Sequence, residues 1–244
     1  MQAKKLTGDT ELLSKHFVFY GNPGTGKTTV ARIMGEVFKS IGLLPTNKII
    51  ETDRSKMIGQ YTGHTAPLVN KQCDLAMGGI LFVDEAYSLK QGPGDQFGQE
   101  AVDALLKRME DDRGKFVVIA AGYTTEMKEF LASNSGFKSR FSDYLTFEDY
   151  TPAEMYNIFM SMCKKKKFGV GPGFEDALRY RLNDIYESRS SSFANARTVR
   201  QLFDKTKENL DSRVFSMKDR GMPDEDVSKA LSVMLIEDID QTVD

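Results

Sequence analysis

Five short apolar runs punctuate the first part of the chain: HFVFY (residues 16–20), KIIET (48–52), GILFV (79–83), FVVIAA (116–121) and YLTF (144–147). Most are continuous, not alternating, as expected of strands buried on both faces and hence of parallel strands. Segments of helical period lie between them. KTTVARIMGEVFKSI follows the first run and TAPLVNKQCDLAM precedes the third. DQFGQEAVDALLKRMED precedes the fourth and sets Phe97, Ala101, Leu105 and Met109 on one face at four-residue steps. This alternation predicts an α/β fold, a five-stranded parallel sheet with helices on both faces. The pattern changes at EDYTPAEM, where Thr151-Pro152 is a helix start with Glu154 in the first turn. Beyond it only helices are expected, over 152–168, 173–187, 194–213 and 224–239, separated by GVGPG and GMP. The boundary falls near Tyr150, dividing the chain into an α/β unit over 1–150 and an all-α unit over 151–244.

Composition narrows the class without naming a chemistry. A chain of 244 residues is long for one core and short for two full ones. The net charge of -2 carries no global bias toward nucleic acid. Cys73 and Cys163 are far apart and His16 and His64 are not at ligand spacing, so neither a disulfide framework nor a Cys/His metal site is expected. MQAKKLTGDTELL has no apolar core like that of a signal peptide, and the run near FVVIAAGY is too short to span a bilayer. A cytoplasmic protein without a membrane partner is expected. The runs KKKK (164–167) and RSSS (189–192) are too short to be interaction tails.

Two stretches carry chemistry. GNPGTGKT, residues 21–28, fits the G-x-x-x-x-G-K-[ST] phosphate loop without a gap, after an apolar run and before a helical one. Its glycines let backbone N–H groups turn toward phosphate oxygens, and the following helix points its positive end at the same place. Gly21, Asn22, Pro23, Gly24, Thr25, Gly26, Lys27 and Thr28, with Thr29 beyond, are the expected ATP-binding set. Lys27 reaches the β- and γ-phosphates in such a loop and Thr28 ligates Mg²⁺. In ILFVDEA the apolar run releases Asp84 and Glu85 at a strand's C-terminal end, the edge at which open α/β sheets bind ligands. Asp84 is expected to hold Mg²⁺ through its water shell and Glu85 to orient or deprotonate the attacking water.

These two motifs before a helical C-terminal segment resemble the AAA+ ATPases. GNPGTGKTTVARI, DRSKMIGQYTGHTA, GGILFVDEAYSL, FGQEAVDALLKRMED, VVIAAGY, GFKSRF and FANARTVRQLF resemble the CbxX/CfqX group more specifically. That group includes the red-type Rubisco activases and relatives linked to sporulation and specialised secretion. The resemblance implies an AAA+ P-loop NTPase with a C-terminal all-α lid subdomain. It implies that Arg140 in KSRF is the arginine finger of a neighbouring site, with Lys138 the weaker candidate. It further implies that Arg197 in NAR is the lid's sensor for the γ-phosphate, with Arg200 one turn on. In two respects the chain departs from the pattern. The first sensor, usually Asn, Ser or Thr, falls in AAGYTTEM, where Tyr123 or Thr124 must serve. Only fifteen residues precede His16, so the expectation is a fragment, a domain of a longer protein or a more open adenine pocket.

The expected function is ATP hydrolysis driving remodelling of a protein client by a ring, six subunits being the number the resemblance implies. In AAA+ ring motors the loop after the second strand carries an aromatic residue into a central pore. Here that loop holds Tyr61 between Gly59 and Gly63, with Thr62 where red-type activases carry an aliphatic residue. LKQGPGDQ (89–96) is a candidate second pore-facing loop. Red-type Rubisco activation itself is the narrower alternative, and no residue establishes it. Nucleic-acid loading is disfavoured by the charge and by the lack of an appended recognition module. A small-molecule kinase is permitted by the phosphate loop alone.

Overall fold

The computed structural model describes residues 15–190, 193–221 and 223–239. Residues 1–14, the last two positions of RSSS, Met222 of GMP and the side chains of Ser135 and Lys138 lie outside the described residues. Strands β1 (His16–Gly21), β2 (Ile49–Thr52), β3 (Ile80–Val83), β4 (Val117–Gly122) and β5 (Phe141–Phe147) form one parallel sheet in the order β2-β3-β4-β1-β5. Registers such as Phe17↔Ile119, Ile80↔Val117 and Ile50↔Leu81 align them. The side-chain period of two divides the apolar runs between two cores. Phe19, Ile80, Phe82, Val117, Ile119 and Ala121 face helix α1 (Lys27–Ser40) through Ala31. Val18, Leu81, Val83, Val118 and Ala120 share the opposite core with residues of α3 (Thr65–Ala76) and α4 (Gln96–Asp111). The expected face of α4 is largely as read: Ala101, Leu105 and Met109 are buried, while Phe97 is half-buried.

β5 begins at Phe141, three residues before the expected 144. It is an edge strand in which exposed positions alternate with half-buried ones after buried Phe141, so Ser142-Asp143 reads as polar and not as a strand. Short helices α2 (Arg54–Met57), α5 (Thr124–Ala132) and α6 (Ser135–Arg140) complete this unit.

Contacts group Glu148–Asp244, together with Pro23–Thr25, into a second unit. Its first helix, α7 (Pro152–Lys166), starts with a capping box in which Thr151 and Glu154 satisfy each other's backbone N–H, and Lys167 ends it in a left-handed conformation. Helices α8 (Phe174–Glu187), α9 (Ala196–Asp219) and α10 (Asp224–Ala230) follow. Phe159, Phe174 and Phe203 centre the core, the last packing edge-to-face on Phe159 at 5.2 Å. The unit is helical as expected, with one addition. Strands β6 (Gly169–Val170) and β7 (Val233–Met234) pair in parallel, so the helix expected over 224–239 stops at Ala230. Gly169 and Gly171 N–H donate to the Ser232 and Met234 carbonyls, and buried Asp238 accepts from Arg213 Nε at 2.7 Å and from the Leu235 N–H. These long-range partners replace the local helical ones.

His16 opens β1 fully inside the protein. Its Nδ1 accepts from Val118 N–H at 2.9 Å, tying the first strand to β4. Burial, with the charges of Arg113 and Arg140 adding to it, pushes its pKa down to about 4 from 6.5. The folded protein therefore keeps this imidazole neutral where the unfolded chain protonates it. The resulting stability is complete above pH 6.5 and lost as pH falls toward 4, amounting to about 3 kcal/mol. His16→Asn keeps an acceptor for Val118 but has no titrating group. The stability difference between wild type and this variant, measured by urea unfolding, should shift against the wild type by that amount between pH 7 and pH 4. A pH-independent difference would show that His16 does not titrate as its burial requires.

Candidate functional site

β1 runs straight into the phosphate loop, which turns through left-handed glycines at Gly21, Gly24 and Gly26 before α1 starts at Lys27. Gly26 caps this helix with no side-chain cap. Lys27 Nζ donates to the Gly21 and Asn22 carbonyls at 2.7 and 2.8 Å, holding its charge on the loop itself. Thr28 and Thr29 stand in the first turn of α1.

Pro23–Thr25 group with the helical unit, and three consecutive carbonyls of this tripeptide accept hydrogen bonds within it. Asn195 Nδ2 donates to Pro23 O at 3.3 Å, Ala196 N–H to Gly24 O at 3.2 Å and the Tyr150 hydroxyl to Thr25 O at 3.1 Å. Asn195 is fully buried at φ 52°, and its amide also bonds Asp149, Phe193 O and the Tyr150 N–H. In sequence it is one letter of NAR, with no signal beyond its neighbour Arg197. Its role as a buried hub becomes visible only from its partners. Arg197 and Arg200 are exposed near the start of α9.

β3 is buried at all four positions and releases half-buried Asp84 and exposed Glu85 at its end. Asp84 N–H bonds Thr52 O on β2, and Asp84 Oδ1 accepts the Glu85 N–H at 3.1 Å. Glu85 lies at φ 46°, a left-handed conformation uncommon for a residue with a side chain. Its carbonyl accepts Ser88 N–H at 2.7 Å, closing the turn Ala86–Leu89. The two candidates for the first sensor directly follow β4. Tyr123 precedes α5 and stacks on Tyr87 at 5.7 Å, whereas Thr124 is the first residue of that helix. Tyr87 is absent from the sequence-based set although it lies two residues beyond Glu85. Burial and the Glu85 charge raise its phenol pKa, so it stays protonated.

Arg140 ends α6 with its side chain 27% exposed. Nη1 donates to Gly136 O at 3.2 Å, Nη2 lies 3.5 Å from Glu110, and Nε is buried without a hydrogen-bond partner. Lys138, the weaker candidate for the same role, has its side chain outside the described set. Tyr61 is 67% exposed, on a loop whose neck is closed by Gly59 N–H bonding Thr65 Oγ1 at 3.1 Å. Its ring meets only the edge of His64, at 5.5 Å among the ring contacts of the described residues. Thr62 beside it is exposed, and the second loop at 91–94 is exposed throughout.

Residues 17–148 match the ATPase family associated with various cellular activities, and residues 151–244 match its AAA lid domain. The chain belongs to this AAA ATPase family. Within it, the similarities lie with the CbxX/CfqX group to which the motifs pointed. Stage V sporulation protein K of Bacillus subtilis (strain 168) is 40% identical over 192 residues, covering 78% of this chain and 60% of that protein. Protein CbbX of Cereibacter sphaeroides is 38% identical over 225 residues, covering 92% of this chain and 71% of that protein. The solved AAA domain of FIGL-1 in complex with ADP superposes with a TM-score of 0.60 at 17% identity, covering 95% of this chain and 74% of that one, a likeness of fold. Among the described residues no helix is long and apolar enough to cross a membrane.

Gly24 is the most exacting position in the loop. Its φ is +71°, and an added Cβ would lie 2.2 Å from Ala194 O. Gly24→Ala should therefore lose about 1–3 kcal/mol of stability from strain alone. Affinity for a fluorescent ATP analogue should drop at least tenfold, because the backbone N–H groups must move to relieve the clash. Melting and equilibrium titration check both; an unchanged melt with unchanged affinity would mean the loop does not hold this conformation.

Proposed function

We propose that this chain is a magnesium-dependent ATP hydrolase that works as one subunit of a ring, expected to be a hexamer, and remodels a protein client in the cytoplasm. The observation carrying this reading is that a glycine-turned phosphate loop leaves β1 on the same sheet edge at which β3 releases Asp84 and Glu85. The donor set fits the cofactor: a hydroxyl on Thr28 and a carboxylate on Asp84 are the hard oxygen ligands Mg²⁺ takes alongside phosphates and water. Among the described residues no cluster of three His, Cys, Asp or Glu competes for a transition metal.

In this reading Gly21, Asn22, Pro23, Gly24, Thr25 and Gly26 wrap the phosphates. Lys27 turns from the loop carbonyls to the β- and γ-phosphates, with Thr29 behind it. Glu85 positions and deprotonates water. Arg140 exchanges Glu110 for the γ-phosphate of the neighbouring subunit, and Arg197 contacts the γ-phosphate of its own. Tyr61 and Thr62 grip the client. The exposure of Tyr61 supports this assignment, because a ring of that size left in water is available for a contact. The similarity to the chloroplastic ribulose bisphosphate carboxylase/oxygenase activase of Cyanidioschyzon merolae (strain NIES-3377 / 10D), 38% identical over 202 residues, supports a protein client over nucleic acid.

Glu85→Gln should bind ATP as the wild type does and lose turnover by a factor of ~10²–10⁴, since the amide fits but takes no proton. Hydrolysis at the wild-type rate would remove Glu85 from the mechanism. Arg140→Ala should bind ATP and hydrolyse it ~10³-fold or more slowly. Mixing it with Lys27→Ala subunits, inactive by themselves, should restore part of the rate, because some junctions then pair an intact Lys27 with an intact Arg140. Mixed assemblies that stay inactive would show that Arg140 does not act across a subunit junction.

A further inference from the structure

The exposed Tyr61 loop is mobile-looking in sequence, yet both of its feet are tied to one segment, and that segment continues from Glu85. Before the loop, Arg54 Nη1 donates to Ser88 O at 2.8 Å, to Leu89 O at 2.7 Å and to Asp95 Oδ2 at 2.7 Å. Ser88 and Leu89 end the turn that begins directly after Glu85. Met57, three residues past Arg54, is fully buried and anchors α2 in the core. After the loop, Ala66 N–H in the first turn of α3 donates to Glu100 Oε1 at 3.1 Å. Glu100 lies in α4, which Asp95 caps by accepting Gly98 N–H at 2.8 Å.

Asp95 is the knot in this arrangement. Its side chain is 11% exposed and it also accepts the Gln91 N–H at 3.0 Å, which pinches the base of the second loop. The Arg54 hydrogen bond, with the backbone donors behind it, holds its carboxyl down to about 2. Gly98 has no room for a side chain, since an added Cβ would lie 2.4 Å from Leu89 O. The segment 88–100 is therefore a closed, charged strap. It has the hydrolytic strand end at one side and the two feet of the Tyr61 loop at the other. A half-buried ion pair adds little net stability compared with an apolar pair, but with its backbone partners it specifies one arrangement.

We propose that Arg54, Asp95 and Glu100 are positioning residues that transmit the state of the nucleotide site to the Tyr61 loop. The proposal rests on the ATP-site reading above. When nucleotide contacts shift the Asp84–Leu89 turn, the carbonyls of Ser88 and Leu89 carry Arg54, and with it the front foot of the loop. Glu100 holds the rear foot, so the loop moves as a unit and does not fray. Spatial continuity alone does not establish coupling; a measured response at the loop does.

The chain contains no tryptophan, so Tyr61→Trp creates a single reporter at the loop tip. Its emission should differ between ADP and a slowly hydrolysed ATP analogue. Adding Arg54→Ala or Asp95→Asn should cut that difference at least fivefold, while affinity for a fluorescent ATP analogue stays within twofold. Arg54→Lys, which keeps the charge near Asp95 but loses the guanidinium fork, should fall between. Arg54→Ala and Asp95→Asn combined should lose no more than either alone, because both cut the same link. If Arg54→Ala proves unstable on melting, Glu100→Ala, which removes the acceptor for the Ala66 N–H at a half-buried position, should still lower the response while the protein folds.

Full-amplitude responses in Arg54→Ala and Asp95→Asn would overturn the proposal. So would a Tyr61→Trp reporter that ignores nucleotide in a protein that hydrolyses ATP. A reporter that responds, and is silenced by these variants, in a protein that binds but does not hydrolyse ATP would support the strap and instead overturn the hydrolase reading.

Discussion

Strands β3 and β4 are buried along their whole length, so no charge can be placed inside this part of the sheet without several kcal/mol of desolvation cost. Groups meant for chemistry have to leave at the strand ends. Parallel pairing puts all C-terminal ends on one edge, and the order β2-β3-β4-β1-β5 brings the exits of β1 and β3 to either side of β4. The phosphate loop and the Asp84–Glu85 pair share an edge for that reason. Burial of the sheet is thus what concentrates the candidate chemistry.

Backbone strain accompanies the chemistry-bearing segment in each unit. Glu85 and Asn195 both occupy positive φ with a side chain present, conformations that cost on the order of 1–3 kcal/mol each and persist only when their surroundings over-determine them. Around Glu85 the determining contacts are the Asp84 carboxylate on its N–H and the Ser88 N–H on its carbonyl. Around Asn195 they are four side-chain hydrogen bonds in a fully buried position. Strain held this way fixes where the Glu85 carboxylate leaves the strand. It also fixes which carbonyls of Pro23–Thr25 are occupied, so that loop N–H groups, and not carbonyls, remain the natural partners of an anion.

Away from that edge, the contrast between Tyr61 and its supports is informative. The ring is exposed, while Met57 and Thr65 at its base are fully buried and Arg54 and Asp95 are half-buried. In the role proposed for it, this loop needs rigid feet more than a rigid tip. Arg140 shows a related economy. It lies 3.5 Å from Glu110 and bonds Gly136 O at 3.2 Å while its buried Nε has no hydrogen-bond partner, so the exchange proposed for it would give up few bonds.

Much of this molecule was legible in the amino-acid sequence. The continuous apolar runs determined a doubly covered parallel sheet, because a strand buried on both faces cannot afford polar positions. GNPGTGKT and VDEA marked the candidate nucleotide-handling residues, because phosphate and metal ligands need those residue types at fixed backbone offsets. Pro152 after Thr151 determined the start of the helical unit through local capping. What only the tertiary structure decided depends on partners far away in sequence. The first half of β5 is polar and becomes a strand by pairing with β1. The helix expected past Ala230 gives way to β7 because Gly169, Gly171 and Arg213 offer its backbone and Asp238 better bonds than helical neighbours do. Asn195, Tyr87 and the Arg54–Asp95 strap carry no motif, since a hydrogen-bond hub is defined by which atoms converge on it. Convergence across 41 residues, as between Arg54 and Asp95, exists only once the chain has folded.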